Sequence, residues 1–186
     1  MTNRNRKLMK ATTGLLVVDV QEKLFPYVEN SCLVMQTLQK VIRGFQILSL
    51  PIYVTEQYPK GLGTTVTTLK GVLGDTPTFF SKTTFSCLDD DLIKKSLLGA
   101  SIEQWVVVGI EAHVCVLQTV KDLLEHHKQV VVLNDAISSR SIYDFSTAIA
   151  EMRDCGARIS SAETVLFELL RDSKAAEFKE ISQLIK

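Results

Sequence analysis

Short uninterrupted apolar runs alternate along the chain with longer stretches in which apolar residues recur at helical spacing. The runs are Gly14–Asp19, Ile52–Thr55, Trp105–Gly109, Val130–Leu133 and, more weakly, Ala157–Ser160. Aliphatic runs without polar alternation suit strands covered on both faces, which means a parallel sheet. Between them, residues 31–49 repeat apolar positions at Leu38, Val41, Ile42, Phe45 and Leu48, and residues 115–126 put Val116, Val120, Leu123 and Leu124 on one face. Asp89–Leu98 reads as a short helix with acids first and lysines later, the order a helix dipole favours. A helix over Ser141–Cys155 is followed by Gly156, where a C-terminal glycine is expected. Two last helices are predicted over 163–170 and 174–185. This alternation predicts a single α/β domain with right-handed crossovers, its ligands bound beyond the carboxyl ends of the strands. Gln57–Thr84 is the longest stretch without such a pattern. It carries Pro59, Gly61, Gly63, Gly71, Gly74 and Pro77, with a strand-like run at Thr78–Ser81, and is expected to be a functional loop.

Composition narrows the function. The chain has 186 residues, 46% of them hydrophobic, enough for one full core. Its 21 Lys and Arg balance 21 Asp and Glu. A net charge of zero gives no global field to attract nucleic acid or an acidic membrane, so neither partner is expected. The balance conceals a basic head, with Arg4, Arg6, Lys7 and Lys10 and no acid among residues 1–10. Residues 1–12 are therefore expected to form a loose segment and 13–186 the folded domain; a targeting signal or a phosphate-binding arm are the other readings of the head. No apolar run approaches the ~18 residues of a membrane helix. None follows the basic head as a secretory signal requires. Cys32, Cys87, Cys115 and Cys155 form no C-x-x-C pair, so reduced thiols in a cytosol-like compartment are expected. A cytoplasmic location follows, with a mitochondrial address as the weaker alternative.

Three residues at strand ends carry candidate chemistry. Asp19 closes the first run, Lys82 follows Thr78–Ser81, and Cys115 lies where a helix should begin after the third run. Taken singly, Asp19 reads equally as a surface acid or helix cap, Lys82 as surface decoration and Cys115 as a buried inert thiol. Taken together they make a device. A carboxylate can accept the thiol proton, a lysine can hold that carboxylate ionised, and N–H groups at a helix start can lower a thiol pKa and stabilise an oxyanion.

The surrounding residues resemble a known family. Gly109-Ile-Glu-Ala-His-Val-Cys115 resembles the nucleophile segment of the isochorismatase-like cysteine hydrolases. Leu15-Leu-Val-Val-Asp19-Val-Gln21 is similar to that family's first catalytic segment, Lys82-Thr-Thr-Phe-Ser86 to its lysine segment and Asp135-Ala-Ile-Ser-Ser-Arg-Ser141 to a further hallmark. Glu56–Gly63 and Phe178–Lys186 look like the isochorismatase domain-containing branch. The resemblance runs from about residue 13 to 186.

It implies a three-layer α/β/α, Rossmann-like fold with a six-stranded parallel sheet, and a triad of Asp19, Lys82 and Cys115. It also implies a cis peptide bond at Ile110–Glu111 and an oxyanion hole from the backbone N–H groups of Glu111 and Cys115. Nicotinamidases of the family hold a metal through Asp-x-His after the second strand; here Gln57 and Pro59 stand at those positions, so no metal and no other cofactor is expected. Gly61-Leu-Gly63 lacks the third glycine of a dinucleotide fingerprint. Phe25, Glu56, Gln57, Tyr58, Phe85 and His113 are candidate pocket residues for a small-molecule substrate, although His113 also suits a packing role. Isochorismatase itself lacks the cysteine, so Cys115 favours acyl-type hydrolysis of a small amide or related C–N or C–O substrate. The alternative is a binding or scaffolding protein that keeps the fold without turnover. The family is commonly oligomeric, and Val165, Leu166, Phe167 and Leu170 offer either an interface or ordinary core, so a homo-oligomer is expected.

Overall fold

The computed structural model describes residues 7–75, 77–99 and 101–186. Six strands, β1 (Thr13–Val18), β2 (Ile52–Gln57), β3 (Thr78–Lys82), β4 (Gln104–Ile110), β5 (Gln129–Ser138) and β6 (Arg158–Ser160), form one sheet in the order β3-β2-β1-β4-β5-β6. Every neighbouring pair is parallel. All residues of β1 and β4 are buried, which is why their sequences show no polar alternation. Their side chains still divide by parity. Leu15, Val17, Val106 and Val108 join one core, with Leu38, Val41 and Phe45 of α1 (Ser31–Ile47). Leu16, Val18, Trp105 and Val107 join the other.

The first core is covered by α1, by α3 (Thr67–Leu73) and by α7 (Ala162–Leu170) and α8 (Phe178–Ile185), while the short α2 (Pro59–Leu62) precedes α3 in the stretch after β2. Only α2 contributes no buried residue. Helices α4 (Asp91–Gly99), α5 (Leu117–Glu125) and α6 (Ile142–Cys155) cover the second core through Ile93, Leu97, Val120, Leu123 and Met152. Gly44 lets α1 approach α7: a Cβ there would come 2.4 Å from Leu166 Cδ2. The chain is a three-layer α/β/α domain.

Four regions differ from the sequence-based expectation. Gln57–Thr84 holds α2, α3 and β3 rather than one long loop. Leu69 and Leu73 are fully buried against α1, so tertiary burial makes α3 helical where Gly71 and Gly74 conceal its periodicity. Strand β5 runs on through Asn134 and Asp135, because its pairing with β4 jumps from Val107↔Val132 to Gly109↔Ile137 and leaves those polar residues in the bulge. Arg4 and Arg6 of the expected loose head lie outside the described residues. Residues 8–12, however, are docked on the domain. Leu8 is buried in the core and its N–H donates to Glu168 Oε1 at 2.9 Å, while Lys10 pairs with Glu177 at 2.9 Å. Finally, Val165, Leu166 and Leu170 of α7 are core residues and Phe167 packs on the same core, so this helix offers no free apolar face for the expected homo-oligomer. Among the described residues, no helix is long and apolar enough to cross a membrane.

Candidate active site

The sheet order reverses beside β1, with β2 on one side and β4 on the other, and the carboxyl ends of these strands form the crevice typical of open α/β sheets. Backbone conformation changes abruptly there. Asp19, one residue past β1, has φ 51°, Tyr58 past β2 has φ 38°, and Gly109 in β4 has φ 117°. Left-handed conformations of non-glycine residues cost energy and persist where surrounding structure fixes them. Asp19 is fixed by its N–H, which donates to the Thr55 carbonyl at 3.1 Å, and by its carboxylate contacts.

Lys82 ends β3 and reaches across β2 to Asp19. Its Nζ donates to Asp19 Oδ2 at 2.6 Å, to Gln57 Oε1 at 2.7 Å, and to the carbonyls of Thr84 and Phe85 at 3.0 Å each. The other Asp19 oxygen accepts from Thr55 Oγ1 at 2.7 Å. Both side chains of the ion pair are fully shielded from solvent. Burial works against the Lys82 cation, but the facing Asp19 carboxylate and the two nearby cysteines outweigh it and hold its pKa above the usual lysine value.

Cys115 lies in a single π-turn, Ala112–Val116, that joins β4 to α5. Its thiol faces the Asp19 carboxylate, whose charge acts on it. Burial, and then the Asp19 charge, push the thiol pKa well up, against the weaker pull of Lys82. The lowered pKa expected from a helix start is therefore absent: Cys115 sits inside the turn, out of water and beside an anion, and rests as a thiol. The Ile110–Glu111 peptide bond immediately before this turn is cis. The Glu111 carbonyl accepts from the N–H groups of Val114 and Val116, and its carboxylate from Arg140 Nε at 2.8 Å.

The structure thus brings Asp19, Lys82, Cys115 and Gln57 together and disperses the other candidates. Glu56 turns away to accept from the N–H and hydroxyl of Thr65 at 2.7 and 2.8 Å. Phe25 is buried in the core beside α1. The side chains of Tyr58 and Phe85 are exposed, and Phe85 serves the cluster through its carbonyl. His113 Nδ1 meets Ser139 Oγ at 3.0 Å, with Asp144 Oδ2 4.0 Å from Nε2. Asp135 accepts the Ala162 N–H on both oxygens and so caps α7. Gln57 Nε2 donates to the Thr83 carbonyl at 2.7 Å, and Pro59 opens α2. Among the described residues no group of three or more His, Cys, Asp or Glu could hold a metal ion.

Sequence reading missed Thr55, Gln21 and Cys87. Cys87 is fully buried, with its sulfur 3.9 Å from Thr55 Oγ1; burial, then the Asp19 charge, raise its pKa to about 11. Its one sequence signal is adjacency to the Lys82–Ser86 segment.

These shifts share one sign. Lys82, Cys87 and Cys115 all hold protons more tightly folded than unfolded. Above the ordinary thiol value the unfolded chain therefore binds fewer protons, and stability falls as pH rises. Urea midpoints should be level near neutrality and decline from about pH 9 upward, the loss from Cys87 being complete once pH passes its folded value of about 11. A Cys87→Ala variant should show a shallower decline.

The profile of the Isochorismatase domain family matches residues 13–164. The chain belongs to the isochorismatase family. Membership supports a hydrolase function. The chain is 38% identical to isochorismatase domain-containing protein 2A of Mus musculus over 97% of its own length and 85% of that protein's. It is 35% identical to isochorismatase domain-containing protein 1 of Danio rerio over 96% of its length, and spans 62% of that longer relative. The solved structure of the MAR1 ribonuclease of Caenorhabditis elegans superposes with a TM-score of 0.91 at 39% identity, covering 97% of this chain and 92% of the worm chain. The family fold is thus matched across nearly the whole sequence.

Proposed function

We propose that the protein is a metal-independent cysteine hydrolase of small amides or related C–N and C–O substrates, with Asp19, Lys82 and Cys115 as its triad. The observation that carries this reading is a single carboxylate, Asp19, bonded to a lysine ammonium and close enough to a cysteine thiol for its charge to act on it, in a shielded site at the sheet's switch point. The resting thiol makes Asp19 a general base acting in the first step, rather than a partner of a preformed thiolate. As Cys115 Sγ adds to the substrate carbonyl carbon, its proton passes to Asp19. The carbonyl electron pair moves to oxygen, and the oxyanion is received by the backbone N–H groups of Glu111 and Cys115. Collapse breaks the bond to the leaving amine or alcohol, which takes the proton from Asp19 and leaves a thioester on Cys115. Water, deprotonated by Asp19, then adds to the thioester; the acid leaves and Cys115 regains its proton.

An activated ester tests this without knowledge of the substrate. On incubation with p-nitrophenyl acetate, mass spectrometry should find one acetyl group, on Cys115, removable by hydroxylamine. Cys115→Ala should remain unlabelled, and Asp19→Asn should label at least about tenfold more slowly. Labelling of Cys32 or Cys155 alone, both exposed, would leave the scaffold reading standing instead.

The name of the worm relative favours a second reading, RNA cleavage. Against it stand the zero net charge and the absorption of Lys82, the one cation of the cluster, by protein oxygens. Cleavage of a structured RNA that is lost in Cys115→Ala would favour the nuclease reading.

A further inference from the structure

The Lys82 ammonium has three hydrogens to give. The two shortest bonds run to Asp19 Oδ2 at 2.6 Å and to Gln57 Oε1 at 2.7 Å, and the carbonyls of Thr84 and Phe85, both at 3.0 Å, share the third hydrogen. Lys82 has no hydrogen left for a bound molecule, and its side chain is out of contact with solvent.

Gln57 is itself held in one orientation. Strand pairing sets it directly beside Lys82. Its Nε2 donates to the Thr83 carbonyl, so turning the amide over would point an N–H at the ammonium and an oxygen at a carbonyl. Its main chain exchanges two bonds with the side-chain amide of Gln21: Gln57 N–H donates to Gln21 Oε1 at 2.7 Å, and Gln21 Nε2 donates to the Gln57 carbonyl at 2.9 Å. Gln21 Nε2 also donates to the Gly63 carbonyl at 2.6 Å. Gln21 is completely buried, and every polar atom of its amide is used.

We propose that Gln57, braced by Gln21, is a positioning residue for the hydrolysis: it occupies one Lys82 N–H and so confines Lys82 to acting on Asp19. The inference rests on the reading of Cys115 as the nucleophile. It divides the labour of the site. Lys82 neither protonates the leaving group nor touches the oxyanion. Asp19 is the sole proton carrier, and the oxyanion is left to backbone N–H groups. A neutral amide suits this task because it accepts from the ammonium without competing with Asp19 for positive charge.

The pH dependence of iodoacetamide alkylation of Cys115, followed by mass spectrometry in the intact chain, tests the role without a substrate. Gln57→Glu keeps an oxygen for Lys82 but adds a negative charge, and should move the alkylation profile about one pH unit higher. Gln57→Met removes the oxygen and loosens Lys82, and should slow alkylation about tenfold without that displacement. Gln21→Met, which changes a side chain bonded to none of Asp19, Lys82 or Cys115, should reproduce the Gln57→Met result. A Gln57 that merely fills space would give Glu and Met variants with the same profile, and that result overturns the proposal. So does wild-type behaviour in all three variants. Gln57→Glu is nearly isosteric, so it preserves the test if a Met variant fails to fold. If Asp19→Asn leaves Cys115 alkylation untouched, the nucleophile reading itself falls, and the positioning role with it.

Discussion

Lys82→Met should destabilise the protein by about 3–5 kcal/mol, the cost of stripping one partner from a buried ion pair. The expectation follows from the complete shielding of both side chains and from the quality of the contact at 2.6 Å. Methionine keeps the length of the lysine stem, so little of the loss comes from packing. What remains is a carboxylate facing Thr55 on one oxygen and no cation on the other. Urea denaturation at neutral pH measures the cost. The double variant Lys82→Met, Asp19→Asn should recover most of it, because a neutral pair avoids the desolvation of both charges. A single-variant loss below about 1 kcal/mol would mean that water reaches Asp19 and that the ion pair is not the dry contact its shielding implies.

Gly109→Ala should have an effect of the same order, by a different route. A Cβ at this position would lie 2.1 Å from the Val18 carbonyl oxygen and 2.6 Å from the Val18 nitrogen. These are main-chain atoms of the central strand and cannot swing aside. The residue also has φ 117°, where an L side chain is strained in any surroundings. A loss of about 3 kcal/mol or more is expected, or failure to fold. Gly71→Ala is the matched control. It lies in α3 with nothing within 4 Å of the new Cβ, and should stabilise by about 0.4–1 kcal/mol. Thermal unfolding of the pair compares them directly. Equal stability of the two variants would show that β4 can shift away from β1, and the placement of the Cys115 turn would not depend on Gly109.

The central strands were legible because burial on both faces leaves a mark that composition alone carries. Leu15–Val18 and Trp105–Val108 admit no polar residue, so their location followed from the chain. The α3 helix was not legible. Its turns are held by Leu69 and Leu73 packing on α1, a partner distant in sequence, while its local residues include two threonines and a glycine. At the site, Asp19, Lys82 and Cys115 were readable because chemistry limits which residue types can do the work, and because their neighbours match a family. The Cys115 protonation state was not. It depends on an anion that the fold brings from the end of another strand, and no local rule about helix ends contains that charge. Thr55 and Gln21 escaped for a related reason: a threonine in a strand and a glutamine after one have no distinctive pattern, and only the register of β1 with β2 turns them toward Asp19 and Gln57.

The position of β1 also constrains how the protein is made. Of the six strands, the first to be synthesised lies in the middle of the finished sheet, and its second neighbour, β4, pairs Gln104 with Thr13. Until β4 has been synthesised, one edge of β1 has no partner. Such delayed, non-local pairing slows folding and leaves an adhesive edge open in the interval. Truncated chains ending between α3 and β4 should therefore be the aggregation-prone species, and nascent chains of that length the ones that most need shielding by chaperones.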